Sequence, residues 1–239
     1  MPSVGTSRII AWAVHVLTAS GVVISLLSLI AILKGDAQEA LLWLGLALAV
    51  DGLDGPLARR FEVRRIIPSF DGAVLDLVVD YLSYVVVPAI FLYQFGFFPE
   101  AWALPATAFI LATSLYIFAN VDMKTHDNYF VGFPAIWNVV ALYVYVLDPP
   151  KAATLVVTIA LGLASFSTAK FLHPLRVREG RPLTLAATAV WSVSSLVLVV
   201  SLPERPTLAL AAWLLASAWL VIQSLRRTFR DPKQPLPAE

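Results

Sequence analysis

Cysteine is absent from the 239 residues, so disulfides and metal sites built on thiolates are excluded. Charged residues are also scarce, since they make up 14% of the chain, roughly half the share found in ordinary soluble domains. The net charge is only +1, which argues against a nucleic-acid partner, because such a partner requires a concentrated basic surface. What remains is a chain with little polar surface.

Apolar residues make up 59% of the chain, more than one soluble domain of this size can hide from water. A helix needs about 20 mostly apolar residues to cross the hydrocarbon layer of a membrane. The sequence therefore predicts an all-α membrane protein of about eight transmembrane helices, with residues 1–239 as a single integral membrane domain. The predicted spans are 9–33, 38–58, 71–94, 101–121, 131–147, 152–171, 183–202 and 207–225.

The basic residues predict the orientation, because cytoplasmic loops carry an excess of Lys and Arg. With both the N- and C-termini in the cytoplasm, 14 of the 17 basic residues fall inside and 3 fall outside. The outside set is Lys34, Lys151 and Arg205. The inside set is Arg8, Arg59, Arg60, Arg64, Arg65, Lys124, Lys170, Arg176, Arg178, Arg181, Arg226, Arg227, Arg230 and Lys233.

Four carboxylates lie inside the second and third spans, where they are costly. Asp51 and Asp54 are near the cytoplasmic end of one span, and Asp76 and Asp80 are in the first turns of the next. A carboxylate at mid-membrane costs roughly 2.5–3.5 kcal/mol. The spacings of three and four place each pair on one helix face. Clustered carboxylates without His or Cys favour Mg²⁺ or Mn²⁺, so a bound dication is our interpretation.

Two other interpretations use the same acids. They could form ion pairs with the arginines that follow the second span, which the interleaved glycines disfavour. They could instead carry ions in a cation transporter. Transporters often show repeats and broken helices near the midplane, whereas these acids crowd into one hairpin near one face.

The residues around the acids form a motif that resembles the signature of the CDP-alcohol phosphatidyltransferases. The motif is Asp51-x-x-Asp54-Gly55-x-x-Ala58-Arg59 followed by Gly72-x-x-x-Asp76-x-x-x-Asp80. Twelve residues separate Arg59 from Gly72, an interval longer than in most of that family and similar to its bacterial phosphatidylcholine synthases. The similarity covers about residues 50 to 180.

The resemblance implies an enzyme that transfers the phosphatidyl group of CDP-diacylglycerol to choline and releases CMP, with Mn²⁺ or Mg²⁺. It also implies a bacterial inner-membrane location, an active site facing the cytoplasm, and a homodimer. The signature hairpin 51–80 would be the catalytic part. The implied metal ligands are Asp51, Asp54, Asp76 and Asp80, with Asp80 also the general base. The implied CDP contacts are Gly55, Ala58, Arg59 and Gly72.

Choline as the acceptor adds an aromatic requirement, because a quaternary ammonium has no N–H and is best held by ring faces. The candidates near the cytoplasmic ends of their spans are Tyr81, Tyr84, Tyr129 and Trp137. The alternative for these rings is the ordinary interfacial belt of Trp and Tyr. Arg176 and Arg178 could hold lipid phosphates or only set topology, and His15 is interpreted as a packing residue. Serine, glycerol phosphate or inositol phosphate remain alternative acceptors.

Overall fold

The computed structural model describes residues 4–230 as a helical bundle with one small antiparallel sheet, which confirms the all-α membrane class. Its elements in chain order are α1 (Val4–Leu33), α2 (Ala37–Arg60), α3 (Val63–Ile66), α4 (Gly72–Asp80), a π-helical segment (Tyr81–Val86), α5 (Val87–Gln94), α6 (Glu100–Ala119), β1 (Phe130–Val131), α7 (Trp137–Leu147), α8 (Lys151–Ala164), β2 (Lys170–Phe171), α9 (Arg181–Ser201) and α10 (Thr207–Arg230).

Six helical stretches among these residues are long and apolar enough to cross a membrane, and they match six of the eight predicted spans. They are Ser7–Leu33, Ala37–Arg60, Gly72–Gln94, Glu100–Ala119, Arg181–Ser201 and Thr207–Arg230. The other two predicted spans are shorter than expected, since α7 has 11 residues and α8 has 14. At 1.5 Å per residue these helices are only about 17 and 21 Å long, against about 30 Å of hydrocarbon.

The residues of these two predicted spans that lie outside α7 and α8 form loops and the small sheet. Gly132 and Ala135 have φ angles of +80° and +55°, which an α-helix cannot contain. Before them, Phe130–Val131 pairs antiparallel with Lys170–Phe171, so each stretch satisfies backbone groups of the other. The predicted bounds 131–147 and 152–171 were therefore wrong at the ends that meet in this sheet.

The first helix supports both helices of the signature hairpin, because α1 packs against α2 and against α4. Asp36 begins α2 by accepting a hydrogen bond from the Glu39 N–H at 2.8 Å, as an N-cap residue does. Asp71 begins α4 in the same way, accepting from the Ala73 N–H at 2.9 Å. These caps fix where each helix starts and therefore where its carboxylates lie.

Hydrogen bonds from buried tryptophans connect the helices. Trp137 donates from Nε1 to the Ser114 hydroxyl at 2.9 Å, and Trp213 donates to Ser195 at the same distance. Such bonds between helices help membrane bundles associate, because lipid gives no hydrophobic driving force between them.

The outer surface of the bundle is apolar, as a lipid-facing surface must be. Exposed side chains there include Leu104, Leu208 and Leu215. The tail with Lys233 lies outside the described residues, and the cytoplasmic position of both termini stays a prediction.

Candidate active site

Three of the four predicted carboxylates meet between α2 and α4. Asp51, Asp76 and Asp80 each offer one oxygen, and these oxygens lie within 4.8 Å of one another. All three side chains are half-buried. Three oxygen donors without a His or Cys among them suit hard ions such as Mg²⁺ or Mn²⁺. The donor set therefore fits the divalent metal that the sequence predicts.

Asp54 lies beside this group and not within it. Its side chain is only 5% exposed and interacts with Thr18 of α1. Asp54 follows Asp51 by three residues, so on a helix its side chain points in a direction about 60° away from that of Asp51. Asp54 still interacts electrostatically with Asp51 and Asp76, so it adds to the negative charge of the site. Its role as a fourth metal ligand stays a prediction.

Tyr84 contacts the cluster directly, because its hydroxyl donates a hydrogen bond to Asp51. It belongs to the π-helical segment that begins immediately after Asp80. Pro88 has no N–H and cannot donate to the Tyr84 carbonyl four residues earlier, which favours a wider turn here. π-Helical turns are frequent at functional sites. This segment thus connects a carboxylate of α2 to the helix that carries the other two.

Two arginines approach the site at Gly55. A Cβ atom on Gly55 would lie 3.4 Å from Nη1 of Arg59 and 3.7 Å from Nη2 of Arg176. Sequence separation hides this pairing, because Arg176 comes from the loop between β2 and α9. Arg178 lies two residues further along that loop with an exposed side chain. The structure therefore brings Arg176, and not Arg178, beside the signature residues.

Lys124 is a cation that the sequence analysis places only among the basic residues predicted to be cytoplasmic. It interacts electrostatically with Asp76, Asp80 and Asp51. Its Nζ lies 5.3 Å from the centre of the Phe130 ring, and its backbone forms a β-bridge with Phe130. This bridge extends the small sheet toward the carboxylate cluster. The sequence did not predict the position of Lys124, because it depends on the pairing of Phe130 with Lys124 and with β2.

His173 also stacks on the ring of Phe130, with ring centres 5.2 Å apart and planes inclined by 9°. Burial, followed by the positive charges of Arg176, Lys124 and Arg59, lowers the pKa of His173 to about 4. The imidazole is therefore neutral at pH 7. The positive charge near the carboxylates comes from the lysine and the arginines.

The end of α10 supports the sheet. The backbone N–H groups of Lys170 and Leu172 donate to the hydroxyls of Thr228 at 2.8 Å and Ser224 at 3.0 Å. Arg227 adds an ion pair to Asp127 in the loop before β1, at 2.8 Å. The last helix thus holds both loops that bring Lys124 and Arg176 to the site.

The remaining signature residues lie at the contacts between α1 and the hairpin. Ala58 packs against a small apolar cluster that includes Val14 and Val63. Gly72 begins α4 and lies against the ring of His15.

The aromatic candidates for choline lie in different environments. Trp137 is fully buried and packs against Phe133 in the core, so its ring has no free face. Tyr129 is also buried, and the Arg227 guanidinium lies 5.8 Å from its ring centre. Tyr81 is half-buried and donates from its hydroxyl to the Leu111 carbonyl at 3.1 Å. Packing around α7 leaves Trp137 no exposed ring face, and its role in binding choline stays a prediction.

The sequence is similar to proteins of known family along most of its length. It is 52% identical over 221 residues to a phosphatidylcholine synthase of Pseudomonas aeruginosa, covering 92% of this chain and 93% of that protein. It is 41% identical over 181 residues to one of Mesorhizobium japonicum, covering 76% and 68%. It is 35% identical over 227 residues to one of Borreliella burgdorferi, covering 93% and 96%.

The family predicted from the motif is confirmed by a second comparison. Residues 12–167 match the family described as CDP-alcohol phosphatidyltransferase, a range that includes the signature hairpin and both α7 and α8. The carboxylate cluster lies inside the matched range, between helices that the signature itself defines. The chain therefore belongs to the CDP-alcohol phosphatidyltransferase family.

Proposed function

We propose that this protein transfers the phosphatidyl group of CDP-diacylglycerol to the hydroxyl of choline and releases CMP. The observation that carries the proposal is the meeting of Asp51, Asp76 and Asp80 between α2 and α4. The names of the relatives, all phosphatidylcholine synthases, support choline as the acceptor over serine, glycerol phosphate or inositol phosphate. Membership of a transferase family also argues against the cation transporter.

The three carboxylates would hold Mn²⁺ or Mg²⁺, with Asp54 close enough to contribute charge. A divalent ion bound there supplies positive charge to the diphosphate oxygens of the donor lipid. The choline hydroxyl is a poor nucleophile at neutral pH, so a carboxylate must take its proton as the oxygen attacks phosphorus. Asp80 is our candidate, because it follows Asp76 by one helical turn and lies within the cluster.

The CDP head group would lie along the signature residues. The guanidinium groups of Arg59 and Arg176 both lie close to Gly55, which suits a phosphate that binds both. Ala58 and Gly72, the other two predicted CDP contacts, belong to the same hairpin. We assign Arg176 to a lipid or nucleotide phosphate ahead of Arg178, because only Arg176 approaches Gly55.

Tyr81 and Tyr84 are our remaining candidates for the ammonium group of choline. The Tyr84 hydroxyl already contacts Asp51. An ammonium group held on the Tyr84 ring would therefore place the choline hydroxyl close to the carboxylates. A ring face contributes about 0.5–2 kcal/mol to holding such a cation. Tyr129 is a weaker candidate, since Arg227 already lies over its ring.

The proposed setting is the bacterial inner membrane, with the site at the cytoplasmic face. The basic residues support that side, because Arg59, Lys124 and Arg176 all lie at the end of the bundle that holds the carboxylates. A homodimer, which the family resemblance suggests, belongs to the same proposal.

The deciding experiment is an assay with purified protein, radiolabelled choline, CDP-diacylglycerol and a titration of Mn²⁺. We expect labelled phosphatidylcholine and CMP in equal amounts, with no product after chelation of the metal. A protein that makes phosphatidylserine and ignores choline would reject the acceptor. Absence of CMP release with every acceptor would reject the transferase activity.

Asp80→Asn tests the assignment of the proton acceptor. The amide keeps an oxygen for the metal but cannot take a proton, so we expect turnover to be lost while CMP still binds. CMP binding is measured by calorimetry in the presence of Mn²⁺. A variant that keeps a near-normal rate would show that another group accepts the proton.

A further inference from the structure

The ring of His15 occupies the space into which a side chain at Gly72 would project. A Cβ atom on Gly72 would lie 2.7 Å from Cε1 and 3.2 Å from Nδ1 of His15. The first distance is shorter than real Cβ contacts allow, so one of the two groups would have to move. Gly72 precedes Asp76 by one helical turn, so this contact lies next to the carboxylate cluster.

The imidazole is held in place by its neighbours. His15 is only 6% exposed. Its ring centre lies 4.6 Å from that of Phe70 and 5.7 Å from that of Trp12, and the two flanking rings are 5.3 Å apart. The imidazole has little room to move, since it is in contact with Phe70, Trp12 and Gly72, although Trp12 and Phe70 are themselves 45% and 37% exposed. A methyl group at position 72 would therefore push α4 away from α1.

The other glycines of the signature hairpin have different surroundings. A Cβ on Gly52 would be 3.6 Å from Leu175, which is an ordinary contact. A Cβ on Gly55 would approach only the ends of two arginine side chains, which can swing aside. Among these three glycines, Gly72 is the one that faces a packed ring from another helix.

The contact depends on the shape of the ring. His15 Nε2 is buried and has no hydrogen-bond partner among residues 4–230. A buried polar atom without a partner does not hold a side chain in place. Packing against Phe70, Trp12 and Gly72 is therefore what fixes the imidazole.

We propose that His15 is a positioning residue of the site, and that position 72 is glycine because the imidazole fills its side-chain space. The ring sets the separation of α1 and α4. It thereby sets the depth at which Asp76 is presented to Asp51. This inference rests on the proposed function only where choline transfer is assayed, and its second assay, thermal unfolding with Mn²⁺, is independent of that function.

The test uses two variants at position 15 in the full-length protein, each with and without Gly72→Ala. His15→Ala removes the ring, and His15→Phe keeps a ring but removes the nitrogens. Gly45→Ala is the matched control, because a Cβ at Gly45 of α2 meets nothing within 4 Å. Two quantities are measured: the Mn²⁺ concentration that half-saturates choline transfer, and the rise in thermal unfolding midpoint that Mn²⁺ produces.

We expect Gly72→Ala alone to raise the half-saturating Mn²⁺ concentration by at least about tenfold and to reduce the Mn²⁺-dependent midpoint shift. Adding His15→Ala should restore both quantities to those of His15→Ala alone, because the space is open again. Adding His15→Phe should restore neither. His15→Phe alone should resemble the wild type, as should Gly45→Ala.

The inference is overturned if His15→Ala/Gly72→Ala is more impaired than His15→Ala alone, since the glycine would then be needed for another reason, such as close approach of the nucleotide. It is also overturned if His15→Phe alone requires more Mn²⁺. Where Gly72→Ala yields no folded protein, recovery of the folded double variant is the measurement, and failure to recover it counts against the inference. A wild type that ignores choline refutes only the proposed function, because the midpoint shifts still decide the role of His15.

Discussion

Asp51 differs from the other two clustered carboxylates because a hydrogen bond from Tyr84 fixes its orientation. The bond joins α2 to the π-helical segment, so it also limits how far the two can separate. Groups that orient a metal ligand in this way commonly change metal affinity by 10–100-fold when removed. The hydroxyl of Tyr84 therefore matters whether or not its ring also contacts the acceptor.

Tyr84→Phe isolates that hydroxyl. We expect the Mn²⁺ concentration that half-saturates choline transfer to rise by about tenfold or more, because the Asp51 carboxylate loses its fixed orientation. Tyr93→Phe, at an exposed tyrosine of α5, is the control and should change nothing. An identical Mn²⁺ requirement in Tyr84→Phe and wild type would show that Asp51 does not need this bond.

His173 makes folding stability depend on pH. Its pKa is about 4 in the folded protein, against 6.5 for an unperturbed histidine. The neutral form is thus favoured by folding, and its contribution to stability is complete above pH 6.5 and is lost as the pH falls toward 4. We expect the unfolding midpoint of His173→Asn to fall less steeply than that of the wild type between pH 6.5 and 4. Parallel profiles would contradict this assignment.

At this scale the sequence predicted all three clustered carboxylates but not how the residues around them pack. Asp51, Asp76 and Asp80 stand out because charges are costly in a membrane span. The turn of Asp54 toward Thr18 depends on how α1 packs, and the burial of Trp137 depends on its neighbours in the core. The positions of Lys124 and His173 depend on the small sheet, which no local sequence pattern predicts.

Among the elements, α10 has a role that its sequence does not suggest. Ser224 and Thr228 are one turn apart, and their hydroxyls accept the N–H groups of Leu172, which follows β2, and of Lys170, which begins it. A two-stranded sheet is marginal alone, so an exposed strand edge needs such a cover. The helix also pairs with Asp127 through Arg227.

Ser224→Ala combined with Thr228→Val removes both acceptors while keeping the helix. We expect the unfolding midpoint in detergent to fall by several degrees, because two half-buried N–H groups each lose a hydrogen bond that contributes about 0.5–1.5 kcal/mol. Ser192→Ala in α9 is the control, since that exposed hydroxyl bonds to the Thr188 carbonyl of its own helix. An unchanged midpoint in the double variant would show that α10 does not stabilise the sheet.

The sequence predicted that each of the eight helical segments exists, but it did not predict the lengths of α7 and α8. Runs of apolar residues marked all eight segments, including α7 and α8. The run from 131 includes Gly132 and Pro134, and only the pairing of Phe130–Val131 with Lys170–Phe171 turns that stretch out of the helix. Hydropathy counts residues and carries no information about such partners.

For the whole molecule, the distribution of charge predicts which side each turn occupies. With eight crossings, the turn at Pro149 between α7 and α8 lies outside and the turn at Gly180 lies inside. Alkaline phosphatase, active only outside the cytoplasm, should therefore be active when fused after Pro149 and inactive when fused after Gly180. An inactive fusion at Pro149 would show that the two short helices enter and leave by the same face.

The shortness of α7 and α8 has a consequence for how unlike substrates meet. Both helices stop short on the side where the carboxylates lie, so a loop and a small sheet with paired backbone groups take the place of helix there, and residues 132–135 of that loop are buried. We expect the aqueous phase to extend inward at this point, on the side of the carboxylates, while the long helices beside it keep their contact with lipid. A water-soluble alcohol and a two-tailed donor can then react without either one leaving its own solvent.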